Sequence, residues 1–248
     1  NTTALGEIVE ETVADGASMV CSDTGRELRK GALRQICFQG MCVWLIMLVV
    51  ILVNEGGAVF RQPSYQAGDI ALNALQIRQA KQFSEIHGHY SRWRFWHPGP
   101  ALFYVYALSE VLFHDTLPVF PAPHNAHIFI SLALQSFLFV FALTLIACML
   151  RSRIFIPAAL VMAALHFSVL AVAAAATVPQ RRIVFWSVWS PHVALIPLFC
   201  LIVVCAIMAS GRIRMLPLAC LLGGFLIHTH ISQCLFVGAL LPAEIGRA

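Results

Sequence analysis

The chain has 248 residues, of which 59% are hydrophobic and only 11% charged. A soluble domain carries about a quarter charged residues, so this composition excludes an ordinary soluble fold and points to an all-α, polytopic transmembrane helix bundle. The net charge of +4 comes without a basic stripe interleaved with aromatics and gives no ground for a nucleic-acid partner.

Residues 1–35 read as a polar tail of mixed charge, with too few large apolar residues for a core of their own. Residues 36–248 form the transmembrane domain, and its first span is predicted at Ile36–Val53. Arg26, Arg29, Lys30 and Arg34 precede that span, so the charge rule for membrane proteins puts the N-terminus in the cytoplasm. An external loop, 54–125, follows.

Further apolar segments cover about 99–113, 126–150, 154–178, 192–210 and 215–242. If 99–113 crossed the membrane, the basic turns at Arg151–Arg153 and Arg212–Arg214 would fall outside, against the charge rule. Gly99–Phe113 is also short for a span, carries Glu110 and is flanked by Pro98 and Pro100. It is therefore read as lying along, or dipping into, the outer face. Segment 215–242 is long for one helix, and Gly223-Gly224 and His228-Thr229-His230 interrupt it. Two readings fit: one tilted helix, or a helix that breaks at the outer face and turns back. The eight cysteines include no C-x-x-C pair and are read as small apolar packers.

The external loop concentrates the chemistry. Beyond Lys30 the only carboxylates are Glu55, Asp69, Glu85, Glu110, Asp115 and Glu244, and all but the last precede position 116. In a spanning segment each such group costs several kcal/mol unless paired or solvated. Gly68-Asp69 opens a helix predicted to reach Phe83, where an acidic residue near the start is favoured by capping and by the helix dipole. Helical spacing sets Asp69, Asn73 and Gln76 on one face, and Ile70, Ala74 and Ile77 on another. Downstream, Tyr90, Trp93, Phe95 and Trp96 suit an interfacial anchor, while Arg92 and Arg94 suit a phosphate. His97-Pro98-Gly99-Pro100 is a rigid turn that would aim His97 at a fixed point.

The order of these parts resembles the N-terminal half of the GT-C-type membrane glycosyltransferases, which use polyprenyl-phosphate sugars. The resemblance rests on a first span, the Gly68-Asp69 opening, Gly88-His89-Tyr90-Ser91-Arg92, and the stretch from His97 to Phe113. That stretch is similar to the family's H/K-P-P-L…A-L-S…L-F segment. His228-Thr229-His230 is similar to a Gln-Thr-His element of some bacterial relatives, with His228 in the place of Gln. The family usually has more spans and often a C-terminal soluble domain, from which this chain departs, and a second acidic residue in the loop, for which Glu85 is the nearest candidate, without a matching motif.

The resemblance implies an enzyme of the bacterial inner membrane that takes a lipid-linked sugar donor, sits among membrane lipids and transfers the sugar at the outer face. It implies Asp69 as base. Asn73, Tyr90, Arg92, Arg94, His97, His228 and His230 are the expected substrate-binding residues, with a divalent cation, Mg or Mn, as an accompanying cofactor and no dedicated metal ligands. The competing reading is a non-catalytic accessory subunit that derives from this fold and binds other membrane subunits. Ten histidines also raise a metal site. His87–His89 and His228–His230, however, have a spacing that does not share one helix face. A transporter would place its polar groups at mid-membrane rather than at one end.

Overall fold

The computed structural model describes residues 30–53, 57, 59–66, 68–91, 93–152, 154–161 and 187–245. Among these the chain is helical, with one isolated antiparallel bridge between Tyr90 and Trp96. The tail calls on residues 1–29 fall outside them, as do Glu55, Arg92, most of the apolar stretch 154–178 and Arg181-Arg182.

Among the described residues, three helices are long and apolar enough to cross a membrane: α1 (Lys30–Val53), α4 (Pro123–Leu150) and α6 (Ser190–Ala209). Between α1 and α4 come α2 (Asp69–Lys81) and α3 (Ala101–Glu110), the latter running into a π-helical turn at Val111–Thr116. A short helical stretch at 155–161 is α5. The C-terminal part comprises α7 (Leu216–Thr229) and α8 (Gln233–Ile245).

Local chemistry accounts for most of the boundaries. Pro123, Pro191 and Pro217 stand in the first turns of α4, α6 and α7, where a missing N–H costs nothing. α4 stops at Arg151, which adopts a left-handed conformation (φ 54°), and the turn after α6 uses Gly211 at φ 87°. Segment 215–242 is a broken helix. His230 is extended, and α8 folds back so that Val237 and Leu241 face Gly223 of α7. A Cβ at Gly223 would stand 3.0 Å from Val237, which is how closely the two helices approach. Within the stretch 99–113, α3 is a ten-residue helix, shorter than the candidate spans, and it packs against α2, α4 and α7.

The main core joins α4, α6, α7 and α8, with Ala142, Leu201, Val204 and Leu226 fully buried in it. α1 lies on α4 in antiparallel fashion. Ile36 clusters with Ala147, Gly40 faces Thr144, and the Trp44 indole donates to Ser136 at 3.2 Å. The rest of α1 is bare: Phe38 is 72% exposed and Ile46 62%. For a helix of this length and apolarity, lipid is the natural cover for that surface.

Cys37 of α1 lies beside Cys148 of α4, and Arg212 is near enough to Cys148 to act on it electrostatically. The start of α1, the end of α4 and the end of α6 therefore share one end of the bundle. The basic turns gather there. The histidine-rich loop occupies the opposite end, beside the starts of α4 and α6 and the break between α7 and α8.

Candidate functional site

At the histidine end, residues 88–97 form a tight hairpin. The Gly88 N–H donates to the His97 carbonyl at 3.0 Å, the His97 N–H returns to His89 at 2.9 Å, and Ser91 donates to Phe95 at 2.8 Å. Gly88 is required by the close approach: a Cβ there would stand 2.7 Å from the His97 carbonyl oxygen and 2.8 Å from that of Gly99. The hairpin is pinned to α2, where the Gln76 side chain donates to the Gly88 carbonyl at 2.8 Å. It is pinned to the α7–α8 break as well, where the Ile231 N–H donates to His97 Nδ1 at 3.1 Å. Below it, the buried Glu85 carboxylate accepts the N–H groups of Ile86 and His87.

These contacts enclose a cavity of about 410 Å³, within the range of small-molecule sites. α2 contributes Leu72 and Asn73, and the hairpin contributes His89, Tyr90, Ser91, Trp93, Phe95 and His97. Its far side is Trp189, Ser190 and Pro191 at the start of α6, with His230 and Ile231 from the break. Among the described residues that line it there is no carboxylate, lysine or arginine.

Three imidazoles converge here. The rings of His97 and His230 have centroids 4.4 Å apart with their planes tilted by 34°, and His89 is 6.3 Å from His97. Burial, together with the neighbouring His97 and His230, pushes His89 down to about 4. Burial also lowers His97 and His230, so all three are neutral at pH 7. Neighbours select the tautomers of His89 and His97. His89 Nδ1 lies 2.8 Å from Asn73 Oδ1 and donates to it, which leaves Nε2 as a bare acceptor. His97 Nδ1 accepts from the Ile231 N–H, which puts its proton on Nε2. His230 Nδ1 lies 2.8 Å from Ser232 Oγ and 3.3 Å from the Ser232 backbone nitrogen.

A second polar cluster lies on the other side of α3. The Lys81 ammonium bridges Glu110, at 2.7 Å, and Asp115 of the π-turn. The other Glu110 oxygen meets His127 Nε2 at 3.0 Å, and His127 Nδ1 meets Gln66 Nε2 at 3.2 Å. Burial opposes the Glu110 charge, but the hydrogen bonds from His127 and Lys81 outweigh it and hold the carboxyl down to about 2. Burial likewise works against the Lys81 ammonium, and its two carboxylate partners raise it nonetheless. The cluster clamps both ends of α2: Lys81 is its last residue, and Gln66 lies just before its first. Nearby, Asn125 accepts the Ser64 N–H and donates to the Val59 and Gln62 carbonyls, which fixes the approach to α2.

The expected site residues fall into three groups. Asn73, Tyr90, His97 and His230 line the cavity together. Asp69 is the first residue of α2, one helical turn before Asn73, and its side chain lies outside the described part of the structure, as does Arg92. Two residues stand apart from the cavity lining. Arg94 is exposed at the hairpin tip with φ 62°, in a turn closed by its N–H to Ser91. His228 is still within α7 and packs against Gly99, where a Cβ would stand 2.4 Å from the ring. The helix ends between His228 and His230, so the two rings part company.

His89, Trp189 and Ser190 were not expected in the site. The spacing His87-x-His89 was visible, but its partner Asn73 could be matched to it only through the hairpin fold. Among the described residues no group of three His, Cys, Asp or Glu side chains is placed to hold a metal ion. Comparison of the chain with protein-family models, curated proteins and solved structures finds no match.

Proposed function

We propose that this integral membrane protein is a glycosyltransferase of the GT-C type, moving a sugar from a polyprenyl-phosphate donor to an acceptor at the outer face of a bacterial inner membrane. The observation that carries the reading is the cavity beside the start of α2. Its walls include tryptophan, phenylalanine and tyrosine rings, and its polar side chains include Asn73, Ser91, Ser190 and three neutral histidines. Flat aromatic faces with a few fixed polar groups suit a sugar ring, which is apolar on its faces and hydrogen-bonding around its edge. In this reading the basic turns and the N-terminus face the cytoplasm.

The reaction is a single inverting displacement. Ionised Asp69 takes the proton of an acceptor hydroxyl while that oxygen attacks the anomeric carbon. The bond from that carbon to the lipid phosphate oxygen breaks, and the phosphate leaves with the electron pair. General-base assistance of this kind contributes roughly 10²–10⁴-fold. Arg92 and Arg94, on the hairpin, are the candidates for meeting the phosphate at headgroup level.

The test supplies membranes containing the chain with labelled polyprenyl-phosphate sugars and compares wild type with Asp69→Asn. Transfer by the wild type and its loss in a well-folded mutant is the expected result. Absence of transfer by the folded wild type, with the chain tightly bound to other membrane subunits, would overturn the enzyme reading in favour of an accessory subunit.

A further inference from the structure

The end of the bundle opposite the cavity carries an unbalanced charge. Arg34 of α1, Arg151 at the stop of α4, and Arg212 and Arg214 in the turn after α6 are all exposed. Helix packing brings three of them to one place. Cys37 lies beside Cys148, and Arg212 is near enough to Cys148 to act on it electrostatically. Arg34 stands one helical turn before Cys37, and Arg151 follows Cys148 by about one turn. The packing of Ile36 with Ala147 and Ile156 closes the same corner. None of the ion pairs among the described residues involves these four arginines. The carboxylates whose side chains are described, Glu85, Glu110 and Asp115, belong to the histidine end.

Like charges gathered in this way repel one another and favour an anionic partner. The sequence supplies one at the same end. Residues 1–25 contain Glu7, Glu10, Glu11, Asp15 and Asp23 and no lysine or arginine. They join the bundle through Lys30, the first residue of α1, and so are tethered where the arginines lie. An extended chain covers about 3.3–3.6 Å per residue, which lets Asp23 reach about 25 Å from Lys30. Neighbouring helix axes are only about 8–10 Å apart, so the turns after α4 and α6 are within range. A carboxylate meets the planar fork of a guanidinium with two hydrogen bonds. A tether this short holds its partner at an effective concentration on the order of millimolar.

We propose that Arg34 and the basic turns after α4 and α6 form a docking surface for an acidic polypeptide segment, and that its occupant is residues 7–23 of the same chain. The surface depends on the packing of α1, α4 and α6 and is independent of any transfer reaction. Anionic lipid headgroups are the competing occupant, since their phosphates suit the same arginines. The tail is favoured because its five acids follow one another without an intervening cation and stay attached to this end of the molecule.

The test uses the full chain with a benzophenone amino acid in place of Ser18, between Asp15 and Asp23. It is photolysed in nanodiscs of zwitterionic lipid and in nanodiscs of mixed zwitterionic and anionic lipid, and the adducts are mapped by mass spectrometry. Adducts on 148–154 and 210–215 are expected in both bilayers, with a yield that falls severalfold at high salt as the charges are screened. Glu10→Gln, Glu11→Gln, Asp15→Asn and Asp23→Asn together are expected to lower the yield severalfold as well. Arg151→Gln with Arg212→Gln should do the same, whereas Arg151→Lys with Arg212→Lys should retain most of it. The tail variant leaves every helix of the bundle unchanged in sequence, so it decides the matter if the arginine variant unfolds. Absence of adducts on these turns in folded wild type, or a yield indifferent to neutralising the tail, would overturn the proposal. Adducts that form in zwitterionic bilayers and vanish in anionic ones would overturn it too, and would assign the arginines to lipid phosphates.

Discussion

Nε2 of His127 lies 3.0 Å from Oε2 of Glu110, while the other Glu110 oxygen holds Lys81 at 2.7 Å. One carboxylate thereby joins α4 to the end of α2, and through Gln66 on the far side of His127 it reaches the start of α2 too. Replacing Glu110 with Gln leaves Lys81 with Asp115 alone and removes the charge that His127 faces. Hydrogen bonds to charged groups contribute about 1.5–3 kcal/mol, so Glu110→Gln is expected to lower stability by that order. Because α2 also carries Asp69 and Asn73, glycoside affinity in nanodiscs is expected to fall in parallel, with partial recovery in Glu110→Asp. Unchanged unfolding and unchanged affinity in Glu110→Gln would show that α2 is held by its apolar contacts with α3 alone.

Acid sensitivity follows from the three cavity histidines. His89 is held at about 4 against an ordinary 6.5. Between those values the unfolded chain takes up a proton that the folded chain refuses, so stability falls as pH drops through that window. His97 and His230 shift in the same direction and add to the fall. Glu110 acts in a lower window. Its stabilisation is present above an ordinary 4.5 and is lost as pH falls toward about 2. Thermal unfolding in detergent is expected to show a Tm that declines from pH 6.5 to 4 before carboxylate protonation adds a second decline. His89→Phe should flatten the first decline and spare the second. A Tm that is level from pH 6.5 to 4 in the wild type would contradict the neutral assignment of these rings.

Two glycines of the hairpin region have no room for a side chain, for different reasons. At Gly88 the obstacle is backbone, two carbonyl oxygens inside 3 Å of any Cβ. Backbone here cannot step aside without breaking the hairpin, and Gly88→Ala is expected to cost about 1–3 kcal/mol and to abolish glycoside binding. At Gly99 the obstacle is the His228 ring, which is a side chain and can be removed. Gly99→Ala is therefore expected to be rescued by His228→Ser, whereas Gly88→Ala is not rescued by it. A double-mutant cycle on thermal unfolding measures both, and rescue of neither or of both would refute the packing described.

The sequence reveals the bundle and the polar end but only half of the cavity. Span assignments follow from uninterrupted apolar runs, and the basic residues bordering them anticipate which turns share an end. Asn73, Tyr90, His97 and His230 are legible because helical spacing, an aromatic-rich loop and a proline-rich turn each mark them locally. His228 illustrates the limit. It stands beside His230 in sequence, yet the helix break between them sends one ring to Gly99 and the other to His97. Trp189 and Ser190 reach the cavity only because α6 begins at that end of the bundle, and no local pattern encodes that. The clamp formed by Lys81, Glu110, Asp115, Gln66 and His127 draws on four separate segments. Its members are visible individually as costly polar groups, but their pairing is a property of the packed helices.

The antiparallel seating of α1 on α4 has its own chemical reporter. Cys37 and Cys148 are neighbours across the two helices, at the end where Arg212 lies. Their proximity predicts a disulfide under mild oxidation, which needs the two Cα atoms within about 7 Å. The experiment introduces a protease site into the loop after α1, oxidises the protein in membranes with copper phenanthroline, and cleaves. The two fragments are expected to migrate together without reductant and apart with it. Cys37→Ser should abolish the link, and Cys42→Ser should not. Gly40→Leu, which would drive a large side chain against Thr144, is expected to lower the yield of the link severalfold because α1 can no longer seat on α4. A cross-link that forms equally well in Gly40→Leu, or one that needs Cys42, would mean that α1 packs in another register and that the basic turns do not share an end.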